Sequence, residues 1–232
     1  MKVGMLILVP AMFLATSLFF LQIPGENGMV GVAPTALAAE PLDSQAAATP
    51  SAGGADTSYS YVGTNKCKMC HLKEHRSWKK TKMALTLDTL KPGSAVEVKK
   101  KYGLDPAKDY STDKGCLKCH TTGYDHQGGY VLADPEDKKA VRRAKKLAGV
   151  GCESCHGPGS AYIDVFMDIF KSKRKYKVEE LYAVGLLKMD AAVCAECHND
   201  KSPTYDAENP FDFEKMKDEG THEHHPLKQR EN

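Results

Sequence analysis

The sequence predicts a mainly α-helical domain with much irregular chain, little or no β structure, and a core that side chains alone do not fill. Three observations predict it. All eight cysteines of the 232-residue chain fall in four Cys-x-x-Cys pairs, each followed at once by histidine. Those pairs are spread over residues 61–232, which leaves about forty residues around each, too few for a separate protein core at every one. Helix start and stop signals are present, but they mark short segments. The balance of 32 Lys+Arg against 30 Asp+Glu, net +2, is that of an ordinary soluble domain and carries no nucleic-acid footprint.

Taken in order, Lys2 and the nearly uncharged run from Val3 to Pro24, rich in Leu, Met and Phe, read as an export signal, with a small-x-small cleavage site at Ala36-Leu37-Ala38. Residues 1–38 are therefore set aside as a signal peptide, with no stable membrane span left after cleavage. No cysteine lies near enough for a lipoprotein anchor. Residues 39–60 (AEPLDSQAAATPSAGGADTSYS) lack the apolar content to nucleate a core and read as a flexible arm. Within 61–232, Thr64 is expected to cap a helix running through Cys67 to Trp78, and Pro135-Glu136-Asp137 to start a charged helix ending near Leu147. Apolar spacing at Tyr162, Val165, Phe166, Ile169 and Phe170 marks a third, and Asp190 precedes a fourth that carries the last Cys pair. Phe211 to Met216 reads as a fifth, with Gly220 past its end.

The chemistry lies in the pairs: Cys67-Lys-Met-Cys70-His71, Cys116-Leu-Lys-Cys119-His120, Cys152-Glu-Ser-Cys155-His156 and Cys194-Ala-Glu-Cys197-His198. In an exported chain, eight cysteines ordinarily suggest disulfides, but none is left outside a pair here. A zinc ribbon has no use for a histidine fixed at the next position, and a thioredoxin-like Cys-x-x-Cys occurs once. Covalent heme attachment does require this arrangement: two thiols add to the two vinyl groups on one porphyrin edge, and the adjacent imidazole reaches the iron. Four motifs imply four covalent c-type hemes, with His71, His120, His156 and His198 as proximal iron ligands. The hemes then form the core and must lie close together.

What binds the opposite face of each iron decides between a pure electron relay and a site that also transforms a substrate. Five histidines remain, His75, His126, His222, His224 and His225, for four irons. His75 lies one helical turn after His71, so it cannot close over its own heme but could reach a neighbouring one, a surface histidine being the plain alternative. His126 sits in the turn-like Tyr-Asp-His-Gln-Gly-Gly, where a solvated loop histidine is the plain alternative. The cluster at His222, His224 and His225 is denser than a surface tail needs. Met83 and Met167 are sulfur alternatives, although core packing explains both.

These segments resemble the tetraheme cytochrome c-554 family. The resemblance rests on GTNKCKMCHLKEHRSWKKTKMALTLDTL at 63–90, LDPAKDYSTDKGCLKCH at 104–120, Gly128-Gly129-Tyr130, GVGCESCHGPG at 149–159, and Phe213 to Met216 with His222-Glu-His224. It implies a mostly helical heme-cored domain with porphyrins in stacked pairs and a role in passing electrons between redox proteins. Of that family's three distal histidines, the last matches His222; the first falls at Met83 and the second beside Phe166 and Met167. Instead this chain has His75, His126 and His225. The family's second motif holds a five-coordinate heme reactive toward small nitrogen oxides; the matching residue is His120, and the extra histidines offer a ligand for its open face. The chain is also similar to the tetraheme cytochromes of metal-reducing bacteria that polymerise into extracellular filaments, where a histidine reaching the next subunit's heme would fix a head-to-tail contact.

The expected function is extracytoplasmic electron transfer, in the periplasm or at the cell surface. Redox proteins or extracellular acceptors are the expected partners, and a head-to-tail homopolymer is compatible with the spare histidines. No catalytic residue is assigned. The alternative is an enzyme acting on small nitrogen compounds at an open iron, for which Asp125 and Tyr205 are the nearest acid–base candidates. Lysine runs such as Lys99 to Lys101 and Lys145-Lys146 read as a solvated face before a docking patch.

Overall fold

The structure, a computed structural model, describes residues 58–231. The signal segment and nearly all of the expected arm lie outside the described residues. Among the described residues, eleven short α-helices account for nearly all the regular structure. They are α1 Thr64–Cys67, α2 Leu72–Trp78, α3 Thr86–Thr89, α4 Val96–Lys101, α5 Lys114–His120, α6 Lys138–Leu147, α7 Cys152–His156, α8 Tyr162–Ser172, α9 Glu179–Tyr182, α10 Ala191–Ala195 and α11 Phe213–Met216. Among the described residues, β structure is limited to isolated bridges, Thr121 with Ala148 and Tyr176 with Arg230.

Four of the expected helices form near their expected places. Asp137 caps α6 by accepting from Lys139 N and Ala140 N, and Asp212 caps α11 by accepting from Lys215 N. Asp190 caps α10 by accepting from Ala192 N and Val193 N, so the helix leading into the fourth motif starts at a fixed point. Asp190→Ala is expected to cost about 0.5–2 kcal/mol in denaturant unfolding of the holoprotein, the usual value of a lost N-cap.

The first helix differs from expectation. It splits into α1 and α2, because the chain turns through Lys68 to Cys70 and leaves helical dihedrals at His71 (φ −109°, ψ 52°). Thr64 does not cap α1; it is the first helical residue, and its hydroxyl donates to the Lys146 carbonyl at 3.4 Å. Gly63 takes the cap position at φ +87°, where a Cβ would come 3.1 Å from Lys146 Cβ, so only glycine lets α1 lie this close to α6. On α8, Tyr162 and Ile169 are buried as expected, but Phe170 is 62% exposed. At 100° per residue Phe170 falls at the edge of that apolar stripe, and the chain does not wrap far enough to cover it.

The protein core is small. Leu117, Tyr130, Ala144 and Leu147 form one cluster. Tyr162, Ile169, Tyr176 and Leu181 form a second. With Leu90 and Val193 these are the buried apolar side chains among the described residues. Such a core is meagre for a domain of this length, and the first and third Cys-His motifs line a cavity rather than packed side chains.

Candidate functional site

Each motif sits on or just after a short helix. The first begins at the end of α1, the second occupies α5, the third is α7 itself, and the fourth runs out of α10. A helical turn puts both cysteines of a pair on one side and projects the histidine next to them. None of the eight thiols is in a disulfide, and among the described residues no three His, Cys, Asp or Glu side chains converge to hold a metal ion by themselves.

The motifs meet in pairs. Cys67 of the first lies beside Cys152 of the third, and their interaction pushes the Cys67 thiol up and the Cys152 thiol down. Cys197 of the fourth likewise lies beside Cys119 of the second, an interaction that pushes Cys197 up and brings Cys119 down to about 7. Cys155 of the third lies close enough to Cys194 and Cys152 that their charges add to burial in pushing it up to about 11, burial being the larger cause. The first attachment point thus lies beside the third and the fourth beside the second, with the third near enough to the fourth for their charges to interact.

A cavity of about 490 Å³ lies between the first and third motifs, in the size range of cofactor sites, about 300–1,000 Å³. Its walls carry Cys67, Cys70, His71, Cys152 and His156, and from elsewhere in the chain His75, His222, His224 and His225. The rings of His156 and His222 face each other across it, centroids 6.3 Å apart and planes at 35°. Metal–imidazole bonds of about 2.0 Å on each face of an iron, plus the half-width of each ring, place two such centroids about 6 Å apart. The arrangement fits an iron held between two histidines.

Ring orientation and protonation suit the same role. His222 Nδ1–H donates to the Glu223 carbonyl at 2.8 Å. His120 Nδ1–H donates to the Thr86 carbonyl at 2.8 Å, a contact made by α3 packing on α5. Each bond fixes the tautomer and leaves Nε2 free, the second-shell pattern of metal-binding histidines. Burial pushes His156 down to about 4, with His222 and His71 adding to the effect. Burial also lowers His71 and His198. A neutral imidazole is what an iron ligand must be. Phe211 lies flat on His198, centroids 4.2 Å apart, and restrains that ring.

These observations locate the chain among known proteins. The family model described as cytochrome c554 and c-prime matches residues 66–157. Cytochrome c-554 of Nitrosomonas europaea is 34% identical over 188 residues, covering 72% of this chain and 77% of that protein. The chain belongs to the cytochrome c-554 family. The solved reduced state of cytochrome c554 from Nitrosomonas europaea matches with a TM-score of 0.64 at 34% identity, over 75% of this chain and 90% of that one. As a member of that family, the chain is a multiheme c-type cytochrome with covalently bound heme, and its mainly helical, nearly strand-free fold is the family's fold.

The remaining candidate ligands are placed unequally. His75, only 7% exposed, packs beside Trp78 and lines the cavity. His225 also lines it and pairs loosely with Glu223 at 3.7 Å. His126 is exposed, its nearest ring that of Tyr61 at 6.1 Å, and it does not line this cavity. Near His71 stands Phe166, edge-on at 5.5 Å.

Several functional residues escape sequence reasoning because they occupy the variable positions of the motifs or lie outside them. Leu117 and Glu153 sit inside motifs and are fully buried. Thr122 donates to the Gly149 carbonyl at 2.9 Å and accepts from Gly151 N at 2.9 Å, tying the exit of the second motif to the entrance of the third. The one sequence signal for any of these three is a leucine placed between two cysteines.

Proposed function

We propose that the chain is an exported electron carrier that binds four hemes c, with His71, His120, His156 and His198 as proximal ligands and His222 opposite His156. The facing pair His156 and His222 carries this reading. Heme c, when bound, supplies a one-electron iron(III)/iron(II) couple whose potential the protein sets through ligands, hydrogen bonds and burial. The chain's own residues attach it through the eight cysteines, orient the imidazoles through Thr86 and Glu223, and bring consecutive attachment points into contact. His75 and His225, on the wall of the same cavity, are the candidates for the other face of the His71 site. The compartment is the periplasm or the cell surface, and the partners are redox proteins or extracellular acceptors.

His126 supports an assembly form of the same reading, since an exposed imidazole away from the cavity is free to serve a heme of a neighbouring copy in a head-to-tail polymer. The test is electron paramagnetic resonance of the oxidised holoprotein with spin states quantified against total heme, run beside particle sizing. Four low-spin hemes unchanged by cyanide or nitric oxide are the expected result. A stoichiometric high-spin heme that binds either ligand would replace the carrier reading with an enzyme acting on small nitrogen compounds. Particles much larger than one chain that fall to monomers in His126→Ala would support the polymer, and monomers in the native protein would remove it.

A further inference from the structure

Glu153 follows Cys152 within the third motif and is only 1% exposed. Its Oε1 accepts from Gly159 N at 2.7 Å and Val62 N at 2.9 Å. Its Oε2 accepts from Gly63 N at 2.7 Å and again from Val62 N at 3.2 Å. Val62 and Gly63 lead directly into α1 and so into the first motif, while Gly159 lies just past His156 at the exit of the third. One carboxylate therefore grips the entrance to the first heme site and the exit of the third.

The charge state follows from the donors. Both oxygens are occupied by N–H groups, and a carboxyl proton would have to break one of these bonds without gaining an acceptor. Burial pushes the Glu153 pKa upward, and the Val62, Gly159 and Gly63 amides oppose that shift by favouring the anion. The ionisable groups whose charges act on or respond to Glu153 are Tyr61, Tyr162, Cys67 and Cys152, none of them a cation at neutral pH. No ion pair among the described residues includes it.

We propose that Glu153 is a positioning residue shared by the first and third heme sites, and that its buried, unpaired negative charge holds the reduction potentials of those two sites below the values they would have without it. Reduction adds one electron, supplied by a redox partner, to each site, and a fixed anion in a low-dielectric interior opposes that addition. The proposal rests on the four-heme reading above, and its test separates the two.

The full-length holoprotein is compared with Glu153→Gln, which keeps the shape and removes the charge, and with Glu153→Asp, which keeps the charge. Heme content is measured by mass and by the pyridine hemochrome, and midpoints by spectroelectrochemical titration. The expected result is full heme content, an upward shift of two of the four midpoints in Glu153→Gln, and native midpoints in Glu153→Asp. Full heme content with unmoved midpoints in Glu153→Gln, or an equal shift of all four, overturns the proposal and leaves the four-heme reading intact. Native protein with fewer than four hemes overturns the reading itself. If Glu153→Gln does not fold, native protein labelled with 13C-glutamate is examined by redox-difference infrared spectroscopy. A labelled carboxylate band that shifts on reduction is expected, and its absence overturns the proposal.

Discussion

Removal of the His222 imidazole is expected to convert one low-spin heme of the four to high spin. The ring stands 6.3 Å from that of His156, with Nδ1 committed to the Glu223 carbonyl and Nε2 free. Alanine leaves the iron opposite His156 with one protein ligand, and the vacated position then takes water or an added diatomic molecule. His224 lies 4.7 Å from His222, near enough to substitute, so the decisive variant is His222→Ala with His224→Ala. In it, about one quarter of the iron is expected to show a high-spin signal and to bind carbon monoxide when reduced. A double variant with an unchanged low-spin count would show that His222 is not the distal ligand and that the pairing with His156 is packing alone.

The largest expected stability effect comes from Leu117→Ala. Leu117 is 0% exposed and packs with Tyr130, Ala144 and Leu147, joining the second motif to the end of α6. In a core this small its neighbours have little freedom to close the void. The expected cost is about 2–5 kcal/mol, read from guanidinium unfolding of the holoprotein. Leu117→Met, which keeps most of the volume, is expected to cost less than about 1.5 kcal/mol. Equal losses in the two variants would mean that Leu117 acts through its place in the motif rather than through packing.

The helices that the sequence made legible were those with local marks: an aspartate cap before α6, α10 and α11, and apolar spacing along α8. Of those it hid, α3, α4 and α7 have no side-chain cap, whereas α5 is capped by Asp113, which accepts from Gly115 N. Their ends are fixed by contacts with distant chain, for example Thr86 with His120 and Val150. His75 and His126 looked alike as spare histidines, yet one is buried against the cavity and the other exposed. The helix expected around one and the turn around the other do not say which of them is buried.

The sequence by itself determined the attachment chemistry, because two thiols and an imidazole that serve one heme lie within five consecutive residues. It also determined the mainly helical class, since so few residues per motif cannot build a protein core of their own. Only the tertiary structure decided that the first motif meets the third and the second meets the fourth, that His222 faces His156, and that Glu153 joins segments 91 residues apart. Covalent capture of a heme is a local event written in adjacent residues, whereas axial pairing and the order of the sites depend on where distant loops come to rest.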